Sequence, residues 1–231
     1  MVINKEGENI MFTYVELSNF KSFGKVKFDF KKNKKVVKKF VAIYGENGSG
    51  KTNFVSSLKL LSNTIVSLTD KQRIQEVINN LNDNEQKSKL LSEININQFF
   101  HYKELSEMLE ECRMIGCDDP TDVKYGFIIN GIEGYYKISF TDEIICEELY
   151  YITNKQRGKL FKIIKNGDDI EKMFSSTIFK SKSYKKEIIE IIDKYWGKHT
   201  FLSIILNESL NKNTKYISER LSKYLLEAID N

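Results

Sequence analysis

The chain has one proline in 231 residues, Pro120. Long helices therefore meet almost no imino-acid interruption. Cysteine is also sparse. Cys112, Cys117 and Cys146 are odd in number and scattered. The Cys112-x4-Cys117 spacing has no second pair and no nearby His to complete a zinc site, so the thiols read as reduced and structural. The two histidines, His101 and His199, lie far apart without acidic or thiol neighbours, and neither reads as a metal ligand. No apolar run reaches the length of a membrane-spanning helix, and residues 1–6 contain no apolar signal-peptide core. These features predict a cytoplasmic protein without a membrane partner. The formal charge of +4 is too small to imply a polyanionic partner by itself, and no internal repeat is visible.

The informative stretch is F-V-A-I-Y-G-E-N-G-S-G-K-T-N-F, residues 40–54. Phe40, Val41, Ala42, Ile43 and Tyr44 form an apolar run rich in strand-forming side chains, which predicts a strand over 39–44. Gly45-Glu46-Asn47-Gly48-Ser49-Gly50-Lys51-Thr52 matches the P-loop pattern G-x-x-x-x-G-K-[ST]. Phe54, Val55, Leu58, Leu61, Ile65 and Leu68 follow at helical spacing and predict a helix over 50–68. The residue types suit a triphosphate. Glycines let backbone N–H groups converge on phosphate oxygens, and the loop runs into a helix N-terminus, where unpaired N–H groups favour anions. Lys51 is positioned to reach the β- and γ-phosphates, and the Thr52 hydroxyl to ligate Mg²⁺. The expected cofactors are ATP and Mg²⁺.

Before the loop, residues 12–17 and 25–30 read as strands, joined by Leu17-Ser18-Asn19-Phe20-Lys21-Ser22-Phe23-Gly24. In the second strand Val26, Phe28 and Phe30 share one face. Lys31, Lys32, Lys34, Lys35, Lys38 and Lys39 surround Val36-Val37 in the connection to the loop. This cluster is either a phosphate-backbone contact on DNA or RNA or a solvated turn.

The order strand, L-S-N-F-K-S-F-G, strand, A-I-Y-G-E-N-G-S-G-K-T-N-F, helix resembles the N-terminal half of ABC-type P-loop ATPases. The relatives it points to are the structural-maintenance-of-chromosomes (SMC) heads, RecF and OLD-family proteins, and above all the compact AAA15/AAA21 group, often called "AAA family ATPase". The resemblance covers residues 12–62. It implies an α/β, ABC/SMC-head-like fold, an N-terminal lobe with an antiparallel β-layer and helical additions. It also implies a role in DNA repair or antiviral defence. The nucleotide-binding residues it implies are Gly45, Asn47, Gly48, Ser49, Gly50, Lys51, Thr52 and Asn53, with Lys21 and Ser22 nearby. Gln98 is the position it offers for the family's glutamine loop.

Later segments extend the pattern. Residues 123–165 predict an antiparallel β-layer, including a hairpin whose loop is Asn130-Gly131-Ile132-Glu133-Gly134. The run Y-Y-K-I-S-F … I-I-C-E-E-L-Y-Y … L-F-K-I is similar to the β-layer of such ATPases. Residues 70–118 read as a helical insertion containing the aromatic group Phe99-Phe100-His101-Tyr102, which suits core packing or base stacking. The organisation expected is an ATP-binding lobe over 1–180 and a helical segment over 181–231 that leads to a second half not found in this chain.

That second half matters chemically. A P-loop ATPase needs a carboxylate at the end of an apolar strand for Mg²⁺, and usually another to polarise the attacking water. The nearest sequence, Ile188-Ile189-Glu190-Ile191-Ile192-Asp193, has helical periodicity and ends in Lys194. The family's signature loop and switch histidine are also missing. Weak hydrolysis is expected of these residues alone. The expected partners are a homodimer mate or a different chain that supplies the remaining half. The competing reading is a nucleotide-binding module that docks a partner without hydrolysis.

Overall fold

A computed structural model describes residues 2–3, 9–33, 36–38, 40–80, 103–129, 131–151, 158–176, 178–179 and 181–212. It is an α/β fold in which one face of an antiparallel sheet is covered by helices. The strands are β1 (Val2–Ile3), β2 (Asn9–Phe20), β3 (Phe23–Asp29), β4 (Lys31–Asn33), β5 (Val36–Val37), β6 (Thr121–Ile129), β7 (Ile132–Phe140), β8 (Ile144–Tyr151), β9 (Lys159–Asn166) and β10 (Asp169–Phe174). The helices are α1 (Lys51–Asn80), α2 (Leu105–Cys112), α3 (Lys182–Tyr195) and α4 (Phe201–Lys212). No described helix is long and apolar enough to cross a membrane.

Eight strands form the main sheet, in the order β1-β2-β6-β7-β8-β9-β10, with β3 pairing β2. β4 and β5 form a separate ribbon. The alternation in β6 explains its place. Val123, Tyr125, Phe127 and Ile129 are buried on one face, while Asp122, Lys124 and Ile128 on the other are half-exposed and Gly126 is buried. With a side-chain period of two, only one register puts the apolar set against the helices. β7 continues the core with Tyr136, Ile138 and Phe140, β8 with Ile144 and Leu149, and β9 with Phe161 and Ile163.

α1 packs on this face through Phe54, Leu61, Ile65 and Leu68, each of the aliphatic ones contributing about 1.5–3 kcal/mol of burial. The Tyr125 hydroxyl donates to the Ser57 carbonyl at 2.5 Å and ties α1 to β6. Val55, predicted on the same face, is 60% exposed. It lies one residue beyond Phe54, about 100° around the helix, and points away.

Three expectations need correction. Residues 40–44 are not a strand. They have no secondary structure and no backbone hydrogen-bond partner among the described residues. Phe40 is 83% and Tyr44 92% exposed, Val41 and Ile43 41% and 40%. Secondly, the β6–β7 hairpin loop is only residues 130–131, with Gly131 at φ 78°. Gly134 lies inside β7, paired with Phe127, and the position takes glycine because a Cβ there would come within 2.6 Å of the Phe127 ring and the Tyr150 carbonyl. Thirdly, the sheet extends past residue 165 into β10, after the tight turn at Gly167 (φ 62°). The helices anticipated within 81–102 and 213–231 lie outside the described residues.

Candidate functional site

The glycine-rich loop runs through turns at residues 46–50, and α1 begins at Lys51. Gly48 (φ 85°) and Gly50 (φ 91°) are in the left-handed region, which a Cβ disfavours. The amide of Phe54 makes the first helical bond, to the Gly50 carbonyl, at 3.1 Å. The N–H groups of the preceding turn have no intrahelical acceptor, as at any helix start. Residues 46–49 are exposed, and nothing lies within 4 Å of a Cβ placed on Gly48. Lys51 Nζ donates to the carbonyls of Gly45 (2.6 Å) and Glu46 (2.7 Å). Its ammonium thus sits in the curve of the loop, with a third proton to give.

The loop is seated by the segment the resemblance pairs with it. A Cβ on Gly50 would approach the Phe23 ring to 2.6 Å, so this position admits only glycine while Phe23 stays in place. Asn53 Nδ2 donates to Ser22 Oγ at 2.7 Å. Phe28 packs on Phe54 with ring centroids 4.6 Å apart, and Phe30 joins at 6.0 Å. The β2–β3 turn and the start of α1 are therefore one unit, and the Phe23–Gly50 contact is a part of it that sequence reasoning did not single out. Asn19 (φ 53°) and Lys21 (φ 49°) shape the turn. Asn19 Nδ2 donates to the Pro120 carbonyl at 3.1 Å, and the Lys21 amide to the Cys112 carbonyl at 2.9 Å.

The predicted site residues divide accordingly. Ser22 and Asn53 meet beside the loop. Thr52 is exposed on the first turn of α1. Lys21 lines a cleft of about 540 Å³ between α1 and α2, together with Lys59, Lys103 and Glu111. In the lysine cluster, Lys31 pairs with Glu133 at 2.8 Å and Lys38 Nζ donates to the Asp29 carbonyl at 3.3 Å. Lys32 is exposed, and Lys34, Lys35 and Lys39 lie outside the described residues, as do Gln98, His101 and the aromatic group at 99–102. Glu190 and Asp193 are on α3, where Asp193 pairs with Lys172. Among the described residues no group of three or more His, Cys, Asp or Glu is gathered for a metal. Mg²⁺ beside a triphosphate keeps waters and takes one or two carboxylates besides phosphate oxygens, so a group of three is not what such a site requires.

A second polar cluster lies at the start of α4. Glu147 is fully buried and accepts from Tyr136 Oη (2.9 Å), Trp196 Nε1 (2.9 Å) and the amides of Phe201 (2.5 Å) and Leu202 (3.2 Å). Thr200 Oγ1 accepts from the Ser203 amide at 3.1 Å, so the first three N–H groups of α4 are all satisfied. Burial pushes the Glu147 carboxyl up to about 7, against the four donors, which favour its ionised form. His199 Nδ1 lies 2.9 Å from Ser67 Oγ. Burial, with Lys71 second, holds this imidazole down at about 4. Sequence reasoning placed Glu147 only within a strand. The available signal was two consecutive carboxylates in an alternating strand, which sends one of them into the core.

Comparison with known proteins returned no matching family model, no matching curated protein and no matching solved structure.

Proposed function

We propose that this chain is the ATP-binding N-terminal part of an ABC/OLD-like P-loop ATPase, acting in a DNA-related or antiviral process. The observation that carries the reading is the loop itself. Two glycines in the left-handed region lead directly into the 30-residue helix α1, with the Lys51 ammonium in the curve of the loop. The backbone of residues 47–52 would hold the phosphates, Lys51 would turn from the Gly45 and Glu46 carbonyls to them, and the Thr52 hydroxyl would face Mg²⁺. Bound there, the metal supplies charge neutralisation on the triphosphate. Ser22 and Asn53 hold the turn beside the loop.

Hydrolysis is assigned to a carboxylate and a signature element that another part of the protein or a partner contributes. Among the described residues, no Asp or Glu side chain forms a hydrogen bond or ion pair with residues 45–52. The second reading is a module that binds nucleotide and docks a partner without turnover. The exposed apolar residues Phe40, Val41, Ile43 and Tyr44 favour it.

Titration with labelled ATP–Mg²⁺ tests the site. Lys51→Ala removes a charge-assisted contact of roughly 1.5–3 kcal/mol, which is about ten- to a hundredfold in affinity. Equal binding by wild type and variant refutes the assignment. Phosphate release by residues 1–231 should stay near the Lys51→Ala blank. Robust turnover that the variant loses would place a catalytic acid within these residues.

A further inference from the structure

The sheet face opposite the helices carries a composition of its own. α1, α3 and α4 all reach the other face, through Ser57 to Tyr125, Asp193 to Lys172, and Phe201 to Phe161 at 4.7 Å. On the outer face, the strand registers align Tyr14, Gly126, Tyr135 and Tyr150 across β2, β6, β7 and β8. The adjacent row aligns Lys27, Glu16, Lys124, Lys137, Glu148 and Lys162.

The two rows interleave. Lys27 Nζ lies 4.3 Å from the Tyr14 ring centroid. Lys124 Nζ lies 4.0 Å from the Tyr135 centroid and 5.9 Å from that of Tyr14. Tyr135 and Tyr150 stack at 5.3 Å with 4° between their planes, and the Tyr135 hydroxyl is held by Glu148. Gly126 makes the strip continuous, because the Tyr14 ring occupies the space its Cβ would need. Acids partner some of the lysines: Lys27 with Glu16, Lys137 with Asp122, Lys159 with Glu148. Lys124 and Lys162 have no ion pair among the described residues. The second row thus carries Lys27, Lys124, Lys137 and Lys162 against Glu16 and Glu148, beside preorganised rings, while Asp29 ends the tyrosine row next to Tyr14 and Asp122 and Glu133 lie on the same face.

We infer that this outer face is a docking strip for single-stranded nucleic acid. Bases stack on aromatic rings without needing a particular sequence, while ammoniums at one edge take the phosphates. A duplex hides its base faces, and an acidic protein has no planar rings in register with the tyrosines. Tyr14 and Tyr135 already carry lysine ammoniums, so Tyr150, flanked by Tyr135 on one side and in register with Lys159 on the other, is the ring assigned the first base. The inference is independent of the ATP reading, and Lys51→Ala should leave it intact.

The test is fluorescence anisotropy with a labelled oligo-dT and with a duplex of the same length, without nucleotide and over a range of salt. Wild type should bind the single strand in preference to the duplex. Lys124→Gln with Lys162→Gln should make the slope of log K against log salt shallower by about 0.7 per lost phosphate contact. Tyr150→Ala should weaken binding roughly tenfold, the effect of one lost base stack. No binding by wild type, equal preference for the duplex, or binding by the lysine double variant with an unchanged salt slope overturns the inference. A circular-dichroism melt checks each fold. The lysine variant decides the matter if Tyr150→Ala does not fold.

Discussion

Glu147 and His199 lie at the two sides of the same helix start and titrate in opposite senses, so stability against pH should expose each only when the other is silenced. Glu147 stays neutral in the folded protein up to about 7, whereas its ordinary value is 4.5. The unfolded chain gives up this proton first. The resulting stabilisation is complete below pH 4.5 and is lost as pH rises to about 7. At about 1.4 kcal/mol per pH unit, the loss is about 3 kcal/mol. His199 stays neutral in the folded protein down to about 4, from an ordinary 6.5. Here the unfolded chain takes up the proton first. Stabilisation is complete above pH 6.5 and is lost as pH falls to about 4, again by about 3 kcal/mol.

Between about pH 4.5 and 6.5 the two slopes cancel. Glu147→Gln breaks the cancellation. The amide keeps the size and one acceptor oxygen, and its loss of hydrogen bonding is a pH-independent offset. Urea unfolding followed by circular dichroism at intervals from pH 4.5 to 7 gives the difference in stability, variant minus wild type. That difference should rise by about 3 kcal/mol across the window. His199→Asn should give the mirror image, a difference that rises as pH falls from 6.5 towards 4. A Glu147→Gln difference that is flat from 4.5 to 7 refutes the reasoning, because it means the carboxyl titrates alike in folded and unfolded chains.

Two further tests address the loop. Gly48→Ala and Gly50→Ala meet similar positive φ, but only Gly50 faces the Phe23 ring. Gly48→Ala should cost about 1–2 kcal/mol in a thermal or urea melt, and Gly50→Ala distinctly more, with Phe23→Leu recovering part of the excess. Equal losses would remove Phe23 from the argument. Hydrogen exchange should find the amides of residues 41–44 unprotected while those of β6 and β7 exchange slowly; protection at 41–44 in the isolated chain would show a ladder that the fold described here lacks.

What was legible in the sequence was whatever a local rule determines. α1 begins where glycine gives way to Lys51-Thr52-Asn53-Phe54, and β6 and β7 follow from two runs of strand-forming side chains on either side of a glycine-containing turn. What escaped depended on distant neighbours. Asn166-Gly167 is a sound hairpin signal, but β10 after it has only half-buried inward positions, one of them Lys172, so its apolar pattern is faint. Glu147 and Glu148 are indistinguishable by type, and register alone sends one inward and the other to Lys159. The link from Ser22 to Asn53 joins residues 31 apart. The motifs marked both as belonging to one site, without the geometry that connects them.

The misread strand at 39–44 follows from the same distinction and bears most on function. A β-forming side chain fits a pleated, half-buried surface rather than stabilising an extended backbone by itself. Phe40 and Tyr44 have the side chains but stay largely exposed, Val41 and Ile43 are only partly covered, and among the described residues their N–H and C=O groups have no ladder. The proposed phosphate loop is consequently held from one side. On its helix side, Phe23 abuts Gly50, Asn53 holds Ser22, and Phe28 packs on Phe54. On its other side, Gly45 follows five residues that have no strand pairing among the described residues. A sheet strand laid against residues 40–44 would bury the apolar side chains, pair the backbone and fix the approach to Gly45 in one step. For such a partner, docking and the ordering of the proposed phosphate loop would be a single equilibrium. A partner that binds at 40–44 should tighten nucleotide binding, and nucleotide should tighten the partner by the same factor.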